Sequence, residues 1–246
     1  MPTRRMTMDL TMPATLTTDT PALVADLPLL RLLHLVSPSL PIGSFTYSQG
    51  IEWAVEAGWI QSADDLASWL DNLLHTGMMF LDLPILQRLY QAVEQEDRAA
   101  LQHWIDYLNA SRETGELWQE EKNRGRALTD LLIALEIPLA ARWKPVLARN
   151  QAAAFAVAAV HWHIPLPQAA YGYVWSWLEN LVLAAVKIIP LGQTQGQKIL
   201  HRMAPQLPGI VTAGLRVSDE AIGASSPALA IASSRHETQY TRLFRS

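Results

Sequence analysis

Three groupings of side chains have the residue types that chemistry uses, and each lacks a part that its chemistry needs. His161 and His163 flank a single residue, and paired imidazoles are half of a zinc- or nickel-type ligand set. The chain has no cysteine and no carboxylate close to that pair, so a structural or solvated pair is expected. Gly192-Gln-Thr-Gln-Gly196-Gln-Lys198 resembles a phosphate loop in outline only. Its glycines are too closely spaced, Lys198 does not directly follow the second one, and Ile199 stands where a magnesium-binding hydroxyl belongs. Carboxylates gather at Glu94, Glu96 and Asp97, and again at Glu120 and Glu121. Both runs are expected in solvent, where nothing would separate their pKa values for acid–base work. His34, His75, His103, His201 and His236 stand singly. No catalytic constellation emerges, and binding other proteins is the expected mode of action.

The elements around these groups read as helices. Half of the 246 residues are hydrophobic and the net charge is −4, which excludes global disorder and gives no basic field for nucleic acid. Nine tryptophans and seven methionines are expected in the core. Absence of cysteine fits a reducing, cytoplasmic address. No apolar run is long enough to span a membrane; the longest, Ala152–Trp162, is cut off by His163 and Pro165.

Asp26 with Pro28 reads as a cap and first turn for a helix to about Val36. The prolines and glycine of Ser37-Pro-Ser-Leu-Pro-Ile-Gly43 break it, and a second helix is expected from Ser44 to Gly58. Ser62-Ala-Asp-Asp65 has capping-box spacing ahead of a Leu66, Trp69, Leu70, Leu73, Leu74 stripe. Pro84 should kink or restart that helix, and Asp97 should cap the next. From Arg112 to Leu135 the pattern is helical again, with Leu128, Leu131, Leu132 and Leu135 as its apolar face. Its charged first half is expected to be a solvated face carrying pairs such as Glu120–Arg124, the alternative being a partner-binding strip. Pro167 opens a long amphipathic helix through Trp175 and Leu178 to about Ile189. No segment alternates as a strand would. The expected fold is all-α: a single-domain bundle of roughly eight to ten helices over residues 26–232. Residues 1–25 are expected to be a disordered extension, and residues 233–246 a polar, basic tail that orders on a partner.

Three separated stretches carry a family resemblance. His34-Leu-Val-Ser-Pro-Ser-Leu-Pro-Ile-Gly-Ser-Phe-Thr-Tyr-Ser-Gln-Gly-Ile-Glu52 resembles the N-terminal signature of the urease accessory protein F family. Ala184-Ala-Val-Lys-Ile-Ile-Pro-Leu-Gly-Gln-Thr-Gln-Gly-Gln197 is similar to its central signature, and His236-Glu-Thr-Gln-Tyr-Thr-Arg-Leu-Phe-Arg-Ser246 to its closing motif. Arg112-Glu-Thr114 and Gly125-Arg126 stand at further matching positions.

The resemblance implies an all-helical homodimer of the urease maturation machinery. It would form a platform with accessory protein D (H in some organisms) that recruits the GTPase, accessory protein G. That complex would insert nickel into apo-urease, and the family member itself is not an established enzyme. The chain would hold no cofactor; nickel would be handled by the complex. Residues expected to bind protein are Phe45, Tyr47, Arg112, Lys187, His236, Tyr240, Arg242, Leu243, Phe244 and Arg245. Tyr47 and Arg242 would be most tied to GTPase recruitment, with Phe45 and Tyr47 presented near a surface. Lys187 stands where arginine is expected, and it would not reproduce a bidentate contact. Two readings stand against the scaffold: a helical enzyme with an enclosed apolar pocket, and direct nickel binding at His161 and His163.

Overall fold

The computed structural model describes residues 26–246, so the expectation for residues 1–25 lies outside the described residues. In chain order the helices are α1 (Leu27–Leu35), a 3₁₀ turn (Ser44–Thr46), α2 (Ile51–Glu56) and α3 (Ala63–Leu73). A π-helical stretch (Leu74–Asp82) joins α3 to α4 (Leu83–Glu94), followed by α5 (Arg98–Ala110) and α6 (Gly115–Ala134). Then come α7 (Pro138–Arg142), α8 (Lys144–Leu147), α9 (Gln151–His161) and α10 (Leu166–Ile188). The chain ends through α11 (Gln193–Met203), α12 (Leu207–Gly214), α13 (Pro227–His236) and an irregular segment to Ser246. Of the described residues 73% are helical and none is in a strand, so the all-α bundle is borne out.

The caps explain several of these starts. Ser62 Oγ accepts from the Asp65 amide at 3.2 Å, and Asp65 Oδ2 accepts from Ser62 Oγ and the Gln61 amide. These bonds, that of Ser62 first, hold the Asp65 carboxyl below its ordinary pKa. Asp97 Oδ1 caps α5 through the amides of Ala99 and Ala100. Asp26 departs from expectation and makes no side-chain cap bond.

Two elements differ from their sequence reading. The second helix starts at Ile51, not Ser44, because Gly43, Gln49 and Gly50 all take positive φ and turn the chain out of helix. An α-helix restarts at Leu83 with Pro84 in its first turn, but by a route the sequence did not suggest. The helix widens into its π stretch just before the proline, and the Phe80 carbonyl, four residues earlier, accepts from Gly223 N–H at 2.9 Å.

At the centre is α9, buried along Gln151–Ala159 and packed on α4 and α6. Alanines let those neighbours come close, and Gly125 of α6 lies against the backbone that opens α9. A Cβ there would lie 2.6 Å from the Asn150 nitrogen, and Asn150 in turn caps α9 through the Ala153 amide. The long α10 lies across α11 and α12, while α13 packs on α2. No helix among the described residues is long and apolar enough to cross a membrane. Gly125→Ala is expected to destabilise the fold by about 1–3 kcal/mol or more, read from the urea midpoint, because backbone rather than a flexible side chain must move. An unchanged midpoint would contradict this packing.

Candidate protein-interaction site

Three stretches far apart in sequence meet at one end of the bundle: the turn before α2, the end of α10 and the carboxy-terminal segment. What joins them is one flank of α6. Helical spacing puts Glu116, Glu120 and Arg124 in a row, with Glu121 beside them. Glu120 is 3% exposed and Glu121 9%, which corrects the expectation that both lie in solvent. Each is neutralised. Arg112 Nη2 reaches Asp82 Oδ1 and Glu121 Oε1, both at 2.5 Å, and Arg124 Nη1 reaches Glu120 Oε1 at 2.7 Å.

Burial pushes the Asp82 carboxyl up despite its arginine partner. Burial opposes the charge of Arg112, but Asp82 and Glu121 outweigh it and hold the guanidinium protonated. Burial also raises the Tyr173 hydroxyl well above its usual range, and the charges of Asp82 and Glu121 add to the rise. These groups line a cavity of about 50 Å³ in which every named carboxylate is already paired. The expected solvated strip is therefore half structural core.

The turn before α2 is held by the same row. Gln49 has φ 51, a left-handed conformation that costs energy for a side chain with a Cβ. Its amide is clamped at both ends: Nε2 donates to Glu120 Oε1 at 3.0 Å and Oε1 accepts from Trp177 Nε1 at 3.0 Å. Gly50 follows at φ 78, where a Cβ would lie 2.9 Å from the Ser233 nitrogen of α13. Only glycine satisfies both the turn and the contact.

The carboxy-terminal segment adds the third wall. Glu52 Oε1 accepts from Leu243 N–H at 2.6 Å and its Oε2 from Phe244 N–H at 2.9 Å. Ser48 donates to the main-chain oxygen of Ser246 with both its amide (2.7 Å) and its hydroxyl (2.6 Å). Arg242 Nη1 meets Glu116 Oε1 at 2.6 Å, and Arg245 N–H donates to Thr46 O. The segment is thus seated on this chain's own helices. The physical reason is a ready set of buried acceptors opposite its amides.

The predicted residues separate into two groups. Phe45 is 60% exposed, Leu243 is 66% exposed and Tyr240 stands free of the surface. Lys187 lies over the rings of Phe45 and Phe244, 5.9 Å from each centroid. A lysine suffices for that stacking, so the departure from arginine removes no bidentate bond here. Arg242 and Arg245 are exposed as well. Lys187 thus links Phe45 to Phe244, whose chain neighbours Leu243 and Arg245 are exposed.

The others are internal. Tyr47 is 5% exposed with its hydroxyl accepting from Asn123 Nδ2 at 3.2 Å, so it is not presented at the surface as expected. His236 and Phe244 are buried, and Arg112 is held in its ion pairs. These support the surface from beneath. Sequence reasoning missed Glu52, Glu116, Glu120 and Gln49, whose polar character pointed to solvent. His161 and His163 are exposed, and among the described residues no group of three or more potential ligands is placed to hold a metal.

Comparison with known proteins places this geometry in context. Residues 60–204 match the family model described as UreF. The chain is similar to a protein of Alcanivorax borkumensis named urease accessory protein UreF, 55% identical over 224 residues, 88% of this chain and 97% of that protein. It is also similar to the same-named proteins of Pseudomonas putida strain GB-1 (49% identical, 90% of this chain, 99% of that protein) and Citrobacter koseri (45%, 88% and 97%).

Two outcomes follow from the buried charges. Arg112→Ala leaves Asp82 and Glu121 buried without a partner and is expected to cost about 3–5 kcal/mol in chemical unfolding. The second concerns pH. Because the folded-state pKa of Asp82 is raised, its stabilising contribution is complete below the unfolded value of 3.8 and is lost as pH rises through the raised value. Asp82→Asn is expected to flatten that part of the stability–pH profile, and an unaltered slope there would rule this assignment out.

Proposed function

Because the chain belongs to the urease accessory protein UreF family, we propose that it acts as a non-catalytic scaffold in urease maturation. In this reading it binds accessory protein D (H) and the GTPase accessory protein G, works as a homodimer in the cytoplasm, and supports GTP-dependent insertion of nickel into apo-urease. It carries no cofactor of its own, and nickel stays with its partners and with urease.

The observation that supports this most is the meeting of three separate motifs at Lys187, which lies over exposed Phe45 and over Phe244, the chain neighbour of exposed Leu243. An exposed aromatic ring beside a cation is a typical anchor of a protein interface. A second apolar surface, Leu27, Leu29, Leu30 and Leu33 of α1, is available for association and fits poor solubility of the chain alone. The helical-enzyme reading has less support. The most enclosed space, about 50 Å³, mixes paired charges with apolar side chains and is far smaller than the roughly 300 Å³ at which substrate pockets begin. The larger hollows, such as that beside Asp64, Ser68 and Arg202, are open to solvent rather than enclosed.

The test is co-purification with accessory proteins D and G. Phe45→Ala and Leu243→Ala remove exposed side chains only, so the fold is retained. Each is expected to weaken complex formation by about tenfold or more. If both variants assemble as the parent does, this surface is not where the partners bind; if the parent ignores both partners, the scaffold reading fails.

A further inference from the structure

His236 is the point on which the carboxy-terminal segment turns. It closes α13 with its side chain fully buried, and each ring nitrogen faces a carboxylate oxygen. Nδ1 lies 2.6 Å from Glu116 Oε2 of α6, and Nε2 lies 3.2 Å from Glu52 Oε2 of α2. A neutral imidazole has one N–H and one lone pair. It can satisfy one of these carboxylates, while its bare nitrogen then faces the other oxygen. An imidazolium donates to both.

The same two carboxylates hold the segment. Glu52 takes the amides of Leu243 and Phe244, and Glu116 takes the guanidinium of Arg242. Further charged groups surround this point. Glu237 Oε1 accepts the Glu116 amide, Arg235 is exposed on α13, Glu56 of α2 binds Gln239, and Glu120 of α6 accepts from Ser246 Oγ. Arg242 is the one cation in direct contact with Glu52 or Glu116 among the described residues, apart from a protonated His236.

We propose that His236 is a proton-operated latch on the segment 240–246: protonated at both nitrogens it ties Glu52 to Glu116 and keeps the segment seated, and loss of one proton releases it. Release uncovers the acceptors Glu52, Glu116 and Glu120 and the donor Ser48, a groove already shaped to take an extended chain with a basic side chain, and frees the segment to bind elsewhere. The proposal concerns the segment itself and does not rest on the identity of any partner.

The test is amide hydrogen exchange of Leu243 and Phe244 in the full chain, from about pH 5 to about pH 8, the range over which histidine changes charge. Rates are corrected for intrinsic pH dependence, with the amides of α9 as internal reference. Protection at Leu243 and Phe244 is expected to fall by about tenfold to a hundredfold in a single-proton step, the worth of one charge-assisted hydrogen bond, while α9 stays constant. His236→Gln has a single donating nitrogen and an oxygen that only accepts, at every pH, so protection should be low and without a step. Glu116→Gln supplies an N–H to the unprotonated ring and keeps an oxygen for Arg242, so the segment should stay protected at high pH. A parent chain without the step, or a step that survives in His236→Gln, overturns the latch. Should His236→Gln fail to fold, Glu116→Gln decides alone: a step unchanged from that of the parent overturns the proposal.

Discussion

The cost of taking carboxylates out of water governs one end of this molecule. Glu120 and Glu121 of α6 and Asp82 at the end of the π stretch are buried where unpaired charge would be prohibitive. Each neutralising partner comes from a different part of the chain or of α6: Arg112 from the loop before the helix, Arg124 one turn further along it. The remaining lone pairs draw in Gln49, Ser246 and the Gln151 amide. Satisfying these groups fixes the turn before α2, the start of α6, the start of α9 and the place of the carboxy-terminal segment together. Such pairs add little net stability over apolar packing, but they tolerate few alternative arrangements.

The surface built on this base has a division of labour. Buried polar residues set positions, and exposed apolar ones are left free to make contact. Glu52 and Ser48 seat the segment by its main chain, which leaves the side chains of Leu243 and Tyr240 exposed. Lys187 lies between the two phenylalanine rings and joins the end of α10 to the other two motifs. Strain at Gln49 is tolerated because both ends of its side chain are bound by groups that need partners themselves.

Much of the fold could be read from spacing because helix signals are local. Capping at Ser62 and Asp97, the leucine stripe after Ser62 and the long helix after Pro167 all lie where periodicity and cap chemistry put them. The stripe of α6 misled, for an identifiable reason. Leu117, Glu121, Gly125, Leu128 and Leu132 follow one another at helical spacing on a single buried face. Glu121 occupies an apolar position in that stripe, and it reads as solvated unless Arg112 is known to meet it. Tyr47 misled in the opposite sense, since a tyrosine among polar residues reads as exposed while its ring is in fact buried. Pro84 gave no hint of a π stretch, because the group that meets the Phe80 carbonyl comes from Gly223.

By itself the sequence determined the helical class, most helix starts and the three motifs by which the chain is recognised. These depend on interactions within about one turn of helix, which residue types and spacing encode directly. Only the tertiary structure decided which charges are buried, which motif residues face outward, and that the closing motif lies on the first. Those outcomes depend on pairs such as Ser48 with Ser246 and Glu52 with His236, close in space and far apart in sequence. Whether a carboxylate is solvated or buried turns on what the rest of the chain brings to it, and no local pattern carries that information.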